Sequence, residues 1–355
     1  MLGIIMAGGK GTRLYPITEN KPKPLVNVLG MPVIDYVKNA LIKTGVNEII
    51  VTTGYKGQGL QNLVNTWDMN LQAVCSVNQE STPMGTAGSV KLLEDKLTQT
   101  FIVASGDAIL SSDLSLIIDA HKTSKAKVTM ALWEVEDPTQ FGIVGLSKTQ
   151  DGEVDGSLNK GYISKFLEKP KQEEAFSNVI NAGLYIIEPE VMKYIPKDTK
   201  YDFSKELFPH LLKLGYPLFG IKLNGVWFDV GTPKELIKAQ NHLVKNSKIL
   251  PFDLPDGHLT PELGYIIGNS KSASPIFTTV VCEDSIVGKN SNLVDSLVMN
   301  GSKIGDNCKI IESIIGEDVT IGDSCELFNC VIGDNVTIDT GTILTDQKVS
   351  SPKQL

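Results

Sequence analysis

Arginine is almost missing from these 355 residues. Of the 33 basic side chains all but one are lysine, and the exception, Arg13, sits inside a glycine loop. A chain that uses lysine wherever a positive charge suffices, yet keeps one planar five-donor guanidinium, points to a position that needs bidentate geometry toward an anion. An excess of positive charge is missing too: the formal balance is −8, which disfavours a general nucleic-acid surface. No window approaches the roughly 18 consecutive apolar residues of a membrane span. The apolar start, Leu2 to Ala7, runs straight into Gly8-Gly9-Lys10-Gly11 without a basic leader or cleavage site, so no membrane contact and a cytoplasmic location are expected. The five cysteines, Cys75, Cys282, Cys308, Cys325 and Cys330, contain no C-x-x-C pair, which fits reduced thiols better than a disulfide frame or a zinc site.

What remains is a globular composition, 41% hydrophobic and 21% charged, at a length that suggests two domains. Up to about residue 245, short apolar runs alternate with helix-like segments, the rhythm of an open α/β sheet with largely parallel strands. Gly3 to Ala7, Glu48 to Thr53, Ala73 to Val77 and Phe101 to Ala104 read as buried strands. Helices are expected after Pro32, ending at Gly45, and after Thr232, whose hydroxyl can cap the backbone while Glu235 reaches back. Residues 246–270, with Pro251, Pro255, Pro261, Asp253 and Asp256, read as a connector. From 271 to 345 the chain repeats: Val287, Ile304, Ile321 and Ile338 are 17 apart, with aliphatics recurring after 6, 6 and 5 residues. That spacing marks a parallel β-helix with three short faces per turn. Ser291, Cys308, Val319, Cys325 and Val336 are slim enough to share its interior, and residues 346–355 read as a polar tail.

The glycine loop Gly8-Gly9-Lys10-Gly11-Thr12-Arg13-Leu14 follows the first strand, and Lys21-Pro22-Lys23-Pro24 comes after it. Glycines turn the backbone tightly and present N–H groups to phosphate oxygens, while Arg13 and Lys23 neutralise their charge. No Gly-Lys-Ser/Thr closes a P-loop, and Leu14 stands where a dinucleotide fingerprint needs its third glycine.

Together with Glu80-Ser81-Thr82-Pro83-Met84-Gly85-Thr86-Ala87-Gly88, Ser105-Gly106-Asp107, Phe141-Gly142-Ile143-Val144, Glu168-Lys169-Pro170, Asn181-Ala182-Gly183-Leu184-Tyr185 and Trp227-Phe228-Asp229-Val230-Gly231-Thr232, this loop resembles the motif series of the sugar-1-phosphate nucleotidyltransferases, the nucleotide-sugar pyrophosphorylases. The resemblance covers residues 1 to about 245. It implies a Rossmann-like catalytic domain, and the repeats are similar to the left-handed parallel β-helix that many members append. It further implies an enzyme that joins a nucleoside triphosphate to a sugar 1-phosphate and releases pyrophosphate. Ala7, Gly8, Gly9, Gly11, Thr12, Arg13, Glu80, Gly85 and Thr86 would then bind the nucleotide, with Lys23 also serving its phosphates. Gly142, Glu168, Lys169 and Asn181 would bind the sugar phosphate, and Asp107 and Asp229 would hold Mg²⁺.

Guanine offers two adjacent donors that the Glu80 carboxylate can accept side by side, which favours GTP with mannose 1-phosphate; Gln79 is adjacent, and dTTP or UTP with glucose 1-phosphate is the runner-up. A non-catalytic relative is the alternative of a different class. None of the four histidines, His121, His210, His242 and His258, falls in the repeats, which disfavours an acyltransferase activity there. The repeats are expected to serve assembly into a homo-oligomer, dimer or tetramer, and truncation near residue 246 is expected to spare the nucleotide site.

Overall fold

The computed structural model describes all residues except 55, 69–72, 112, 250–253 and 352–355, so Pro251 and Asp253 of the expected connector and the end of the expected tail lie outside the described residues. The chain forms two compact units. One comprises Met1–Gly9 and Tyr36–Trp227; the other comprises Lys10–Asp35 and Phe228–Leu355.

The first unit is built on a nine-stranded sheet. Its strand order is Val74–Gln79, Glu48–Thr53, Leu2–Met6, Phe101–Ser105, Val179–Ile187, Val128–Glu134, Leu218–Lys222, Lys160–Glu168 and Gly142–Ser147. The first four strands pair parallel, as the buried Ile and Val runs suggest. Beyond them the sheet is mixed: Val179–Ile187 is antiparallel to both of its main neighbours, and Lys160–Glu168 to both of its own. Four connections therefore leave the same edge of the parallel part, at Ala7, Gly54, Glu80 and Gly106. At that edge of an open α/β sheet ligands collect. Backbone bonds tie the four together: Ala7 N donates to Thr52 O at 2.8 Å, Glu80 N to Thr53 O at 2.7 Å and Gly106 N to Met6 O at 2.9 Å.

In the second unit the 17-residue period becomes three stacks of parallel strands. Ile304 sits over Ile321, Ile310 over Leu327 and Ile315 over Ile332, one residue for each face. These side chains are essentially unexposed, as are Cys308, Val319 and Cys325. All five cysteines are buried and none is in a disulfide, and burial pushes the Cys282 thiol up to about 12, which suits packing and not redox work. The stack extends past the expected end of the repeats to the strand Lys348–Val349, paired on Val331–Ile332. It also begins within the expected connector, where Tyr265–Ile267 pairs parallel with Val280–Val281.

Two sets of positions turn the coil. One is a set of left-handed corners: Thr278, Asp295, Glu312, Asn329 and Asp346; Asp284, Gly301, Asp318 and Asn335; Asn290, Asn307, Ser324 and Gly341. All but Thr278, Glu312 and Ser324 are Asn, Asp or Gly, the types that accept positive φ most readily. The other is three columns of buried hydroxyls. Ser296 N donates to Thr279 Oγ1 at 3.2 Å, Ser313 N to Ser296 Oγ at 3.1 Å and Cys330 N to Ser313 Oγ at 3.0 Å. Columns through Ser270, Ser285 and Ser302 and through Ser274 and Ser291 repeat the pattern. Each hydroxyl satisfies a corner N–H that the strand ladder leaves unpaired.

The helix Pro233–Lys245 packs on these coils: Gln240 Nε2 donates to Ser296 O at 3.0 Å and Asn241 Nδ2 to Asp295 Oδ1 at 3.1 Å. Thr232 caps it as expected, accepting from Glu235 N, whereas the Glu235 carboxylate meets the Thr232 hydroxyl and not its backbone N–H.

Candidate active site

Within the second unit, three sequence-predicted residues come together. Lys23 Nζ lies 2.8 Å from Asp229 Oδ1, and Arg13 Nη2 lies 3.9 Å from Asp229 Oδ2. The Lys23 side chain is only 8% exposed, so its charge needs a partner, and Asp229 is that partner. Arg13 is 57% exposed, so its guanidinium is open to solvent. Gly11 makes this possible. Its φ is +65°, and a Cβ there would fall 2.9 Å from the Lys23 Cβ. Thr12-Arg13-Leu14 then forms a tight helical turn, closed by Leu14 N on Gly11 O at 2.9 Å. Gly231 leaves the space beside the cluster open, because a Cβ there would meet Arg13 Nη2 at 3.0 Å and Asp229 Oδ2 at 3.1 Å.

Within the first unit, Ala7, Gly8 and Gly9 end the strand Leu2–Met6. Asp107 follows the strand Phe101–Ser105, with Oδ1 accepting from Ser105 Oγ at 2.6 Å. Glu80 is half-buried beside Gly54, and its Oε2 accepts from Met84 N at 3.0 Å, closing the 80–84 turn. Gln79 points elsewhere, against Gly57, as strand alternation requires.

The loop after Glu80 is held by residues that the sequence reading did not single out. Gly85 has φ +74°, and a Cβ there would lie 2.6 Å from Tyr201 O. That carbonyl accepts from Ala87 N and Gly88 N, both at 3.0 Å, while Tyr201 N donates to Met84 O. Thr86 Oγ1 donates to Asp202 Oδ2 at 2.8 Å and accepts from Phe203 N. Asp202 Oδ1 also caps the following turn at Ser204 N and Lys205 N. The signal was present as an aspartate directly before the apolar-periodic run Phe203, Leu207, Phe208 and Leu211.

Asp202 leads to the expected sugar-phosphate residues. Its charge, after burial, is the second cause that raises the Glu168 carboxyl above the usual carboxylate range, with Lys169 and Lys205 opposing. A Cβ at Gly142 would come within 2.7 Å of Glu168 Oε2, so a glycine is what lets this carboxylate lie flat on the neighbouring strand. Lys169 has φ +47° and is held by its N–H on Phe141 O at 2.9 Å. Asn181 Nδ2 donates to Tyr185 Oη at 2.8 Å and Ser204 Oγ at 3.1 Å, and its Oδ1 accepts from Gly183 N across a break in strand register. Glu168, Lys169, Asn181, Tyr185, Asp202, Ser204 and Lys205 thus form one polar neighbourhood that reaches Thr86.

Among the described residues no group of three or more His, Cys, Asp or Glu side chains is arranged to hold a metal ion. Asp107 and Asp229 each offer hard oxygen donors, Asp107 oriented by Ser105 in the first unit and Asp229 charge-matched to Lys23 in the second, and carboxylate oxygens are the ligand type a hard divalent cation takes. Among the described residues no helix is long and apolar enough to cross a membrane.

Residues 2–246 match the family described as nucleotidyl transferase, and residues 271–355 match the one described as GMPPB C-terminal domain. The chain is similar to the mannose-1-phosphate guanyltransferase of Saccharomyces cerevisiae, 34% identical over 243 residues, which is 67% of this chain and 63% of that protein. It is likewise similar to the mannose-1-phosphate guanylyltransferase catalytic subunit beta of Xenopus tropicalis, 33% identical over 240 residues, 67% of this chain and 63% of the relative. The corresponding Dictyostelium discoideum protein is 32% identical over 251 residues, 70% and 66%. The chain thus spans just under two thirds of the length of these relatives. With the glycine loop, the strand-edge loops and the matched residues 2–246 in agreement, the chain belongs to the nucleotidyl transferase family.

Proposed function

We propose that this chain transfers a guanylyl group from GTP to mannose 1-phosphate, forming GDP-mannose and pyrophosphate. The observation that carries the reaction class is the Arg13, Lys23 and Asp229 cluster, in which two cations are held beside a carboxylate with one of them open to solvent. The names of the relatives support the substrate pair.

A sugar 1-phosphate is already close to a dianion at neutral pH, its second pKa being about 6, so its attack on the α-phosphate needs no general base. The protein's task is to hold two anions in line and to balance charge as pyrophosphate leaves. In this reading Arg13 and Lys23 neutralise nucleotide phosphates, with Arg13 supplying the bidentate contact. The backbone of Ala7, Gly8, Gly9, Gly11 and Thr12 approaches the same nucleotide. Gly85 and Thr86 shape the base loop, and Glu80 accepts the guanine donors through lone pairs not used on Met84 N. Lys169 serves the sugar phosphate, while Glu168 and Asn181, beside Gly142, take the sugar hydroxyls. Asp107 and Asp229 would hold Mg²⁺, which when bound supplies charge compensation for the phosphates. The functional segments are 1–245 for this chemistry, a connector from 246, and the coils from the strand Tyr265–Ile267 onward. A cytoplasmic location and self-association into a dimer or tetramer through those coils complete the proposal, the latter read by light scattering.

The test is pyrophosphate release by the pure protein with Mg²⁺ against a matrix of nucleoside triphosphates and hexose 1-phosphates. GTP with mannose 1-phosphate is expected to give the highest kcat/KM. A preference for dTTP or UTP with glucose 1-phosphate overturns the substrate pair, and no turnover with any pair overturns the enzyme. Asp107→Asn and Asp229→Asn are each expected to remove most turnover without loss of fold, and near-normal Mg²⁺-dependent rates in either variant exclude that carboxylate.

A further inference from the structure

Lys21 is not among the residues given a chemical role above, yet it is as carefully placed as Lys23. Its side chain is 13% exposed, with Nζ 2.8 Å from Glu317 Oε1 and 3.2 Å from Asp334 Oδ2. These carboxylates lie on successive coils, 17 residues apart. Asp334 uses its other oxygen to accept from Glu317 N at 2.9 Å, so it is fixed before Lys21 arrives. Glu317 Oε1, ion-paired with Lys21, also accepts from Asn27 Nδ2 of the same loop at 3.3 Å. The Glu19 carboxylate takes Ser350 Oγ at 2.9 Å and Ser351 N at 3.2 Å on the last coil. The loop is therefore fastened at residues 19, 21 and 27, on both sides of Lys23, which faces Asp229.

Between the fastenings the backbone has little freedom. Pro22 and Pro24 fix φ on either side of Lys23, and the turn is closed by Leu25 N on Pro22 O and Val26 N on Lys23 O, both at 3.0 Å. A shift of Lys21 is thus passed to Lys23 instead of being absorbed. A nearly buried ammonium shared by the buried Asp334 and the half-buried Glu317 is a poor arrangement for stability alone, since desolvation offsets most of what such a cluster gains. We propose that Lys21, Glu317 and Asp334 are positioning residues, through which the C-terminal coils set the place of Lys23 and Arg13 relative to the phosphates those cations receive. The inference rests on the phosphate role given to Lys23 and Arg13 above. It reverses the expectation that truncation near residue 246 spares the nucleotide site.

The test uses the full chain. Asp334→Asn leaves Lys21 paired one to one with Glu317, so the fold is expected to hold; Glu317→Gln removes the contact that Lys21 and Asn27 share. Two readouts are taken. Hydrogen exchange of peptides covering residues 20–28 is expected to speed up at least about tenfold in both variants, while exchange of the coil strands stays as in the wild type. The kcat of pyrophosphate release is expected to fall on the order of 10- to 100-fold, more than the nucleotide KM rises, because displacement of a charge-stabilising group acts mostly on the transition state. Unchanged exchange in residues 20–28 overturns the inference whatever the activity. Faster exchange with unchanged kcat also overturns it, leaving only a structural fastening. A wild type inactive on every substrate pair sinks the proposed reaction instead, and the exchange result alone then decides whether the coils hold the loop.

Discussion

Replacing Gly85 by alanine tests how the base loop is held, and the structure supplies its own control. At Gly85 the backbone has φ +74°, which costs a residue with a Cβ about 1–2 kcal/mol. The new Cβ would also lie 2.6 Å from Tyr201 O, a separation that real Cβ contacts do not show. Relief requires that carbonyl to move away from the Ala87 and Gly88 amides, and weakening two backbone hydrogen bonds costs about 1 kcal/mol each. The total is about 3–4 kcal/mol. Gly45 has φ +80° with nothing within 4 Å of a Cβ, so Gly45→Ala is expected to cost only the backbone part, about 1–2 kcal/mol. Urea unfolding of both variants followed by far-UV circular dichroism reads the difference, about 2 kcal/mol. In parallel, Gly85→Ala is expected to raise the nucleotide KM while Gly45→Ala leaves it unchanged. Equal losses of stability from the two substitutions would refute the reasoning, because Tyr201 would then be yielding freely.

Arg13→Lys is expected to lower kcat/KM by at least about tenfold, since a point charge cannot reproduce two parallel hydrogen bonds; wild-type efficiency in that variant would reduce the lone arginine to an accident of composition. Asp202→Asn removes a charge that raises the Glu168 pKa, so Glu168 should lose its proton at lower pH and the acid limb of the pH–kcat/KM profile should move down in pH, whereas a fixed limb would separate the two groups. Because its folded pKa is raised, Glu168 contributes stability that is present below the unfolded value and lost as pH rises through the folded one. Glu168→Gln should therefore raise Tm at neutral pH while lowering turnover, and a lower Tm there would contradict the burial of that charge. Glu312, exposed and at φ +48°, should gain about 0.5–1 kcal/mol on replacement by asparagine, measured as a rise in Tm, and a loss would mean that its side chain does something beyond turning the corner.

The coils were legible because their regularity is local: a 17-residue period is visible in the aliphatics, and each face is one residue of that period. The serine columns were equally periodic, Thr279, Ser296, Ser313 and Cys330 being 17 apart, but a search confined to aliphatics passes over buried hydroxyls. The glycine loop and Asp229 were legible as motifs. The hold on Gly85 was not, because it is exerted by the backbone carbonyl of Tyr201, and a carbonyl carries no side-chain mark. Nor was the grouping of residues 10–35 with the coils, which depends on Lys21 meeting Glu317 across nearly 300 residues of chain. Periodicity reports what a residue does for its neighbours in sequence, and those contacts are with neighbours in space only.

Successive coils share one plan, with left-handed corners and slim residues at the turns, hydroxyl-bearing in the earlier coils and Cys or Val in the later ones, so the stack itself holds no preference for how many turns it contains. Deleting 17 residues between Ser296 and Glu317 would reconnect like to like and leave each corner filled. It would nevertheless bring Glu317 about 4.8 Å closer to the level at which the helix Pro233–Lys245 rests on Asp295 and Ser296, one strand spacing. Lys21 would then be fastened at the wrong height. The number of turns between the helix and the loop is thus a length standard, written in the count of repeats and in no single residue, and it is read out at Lys23.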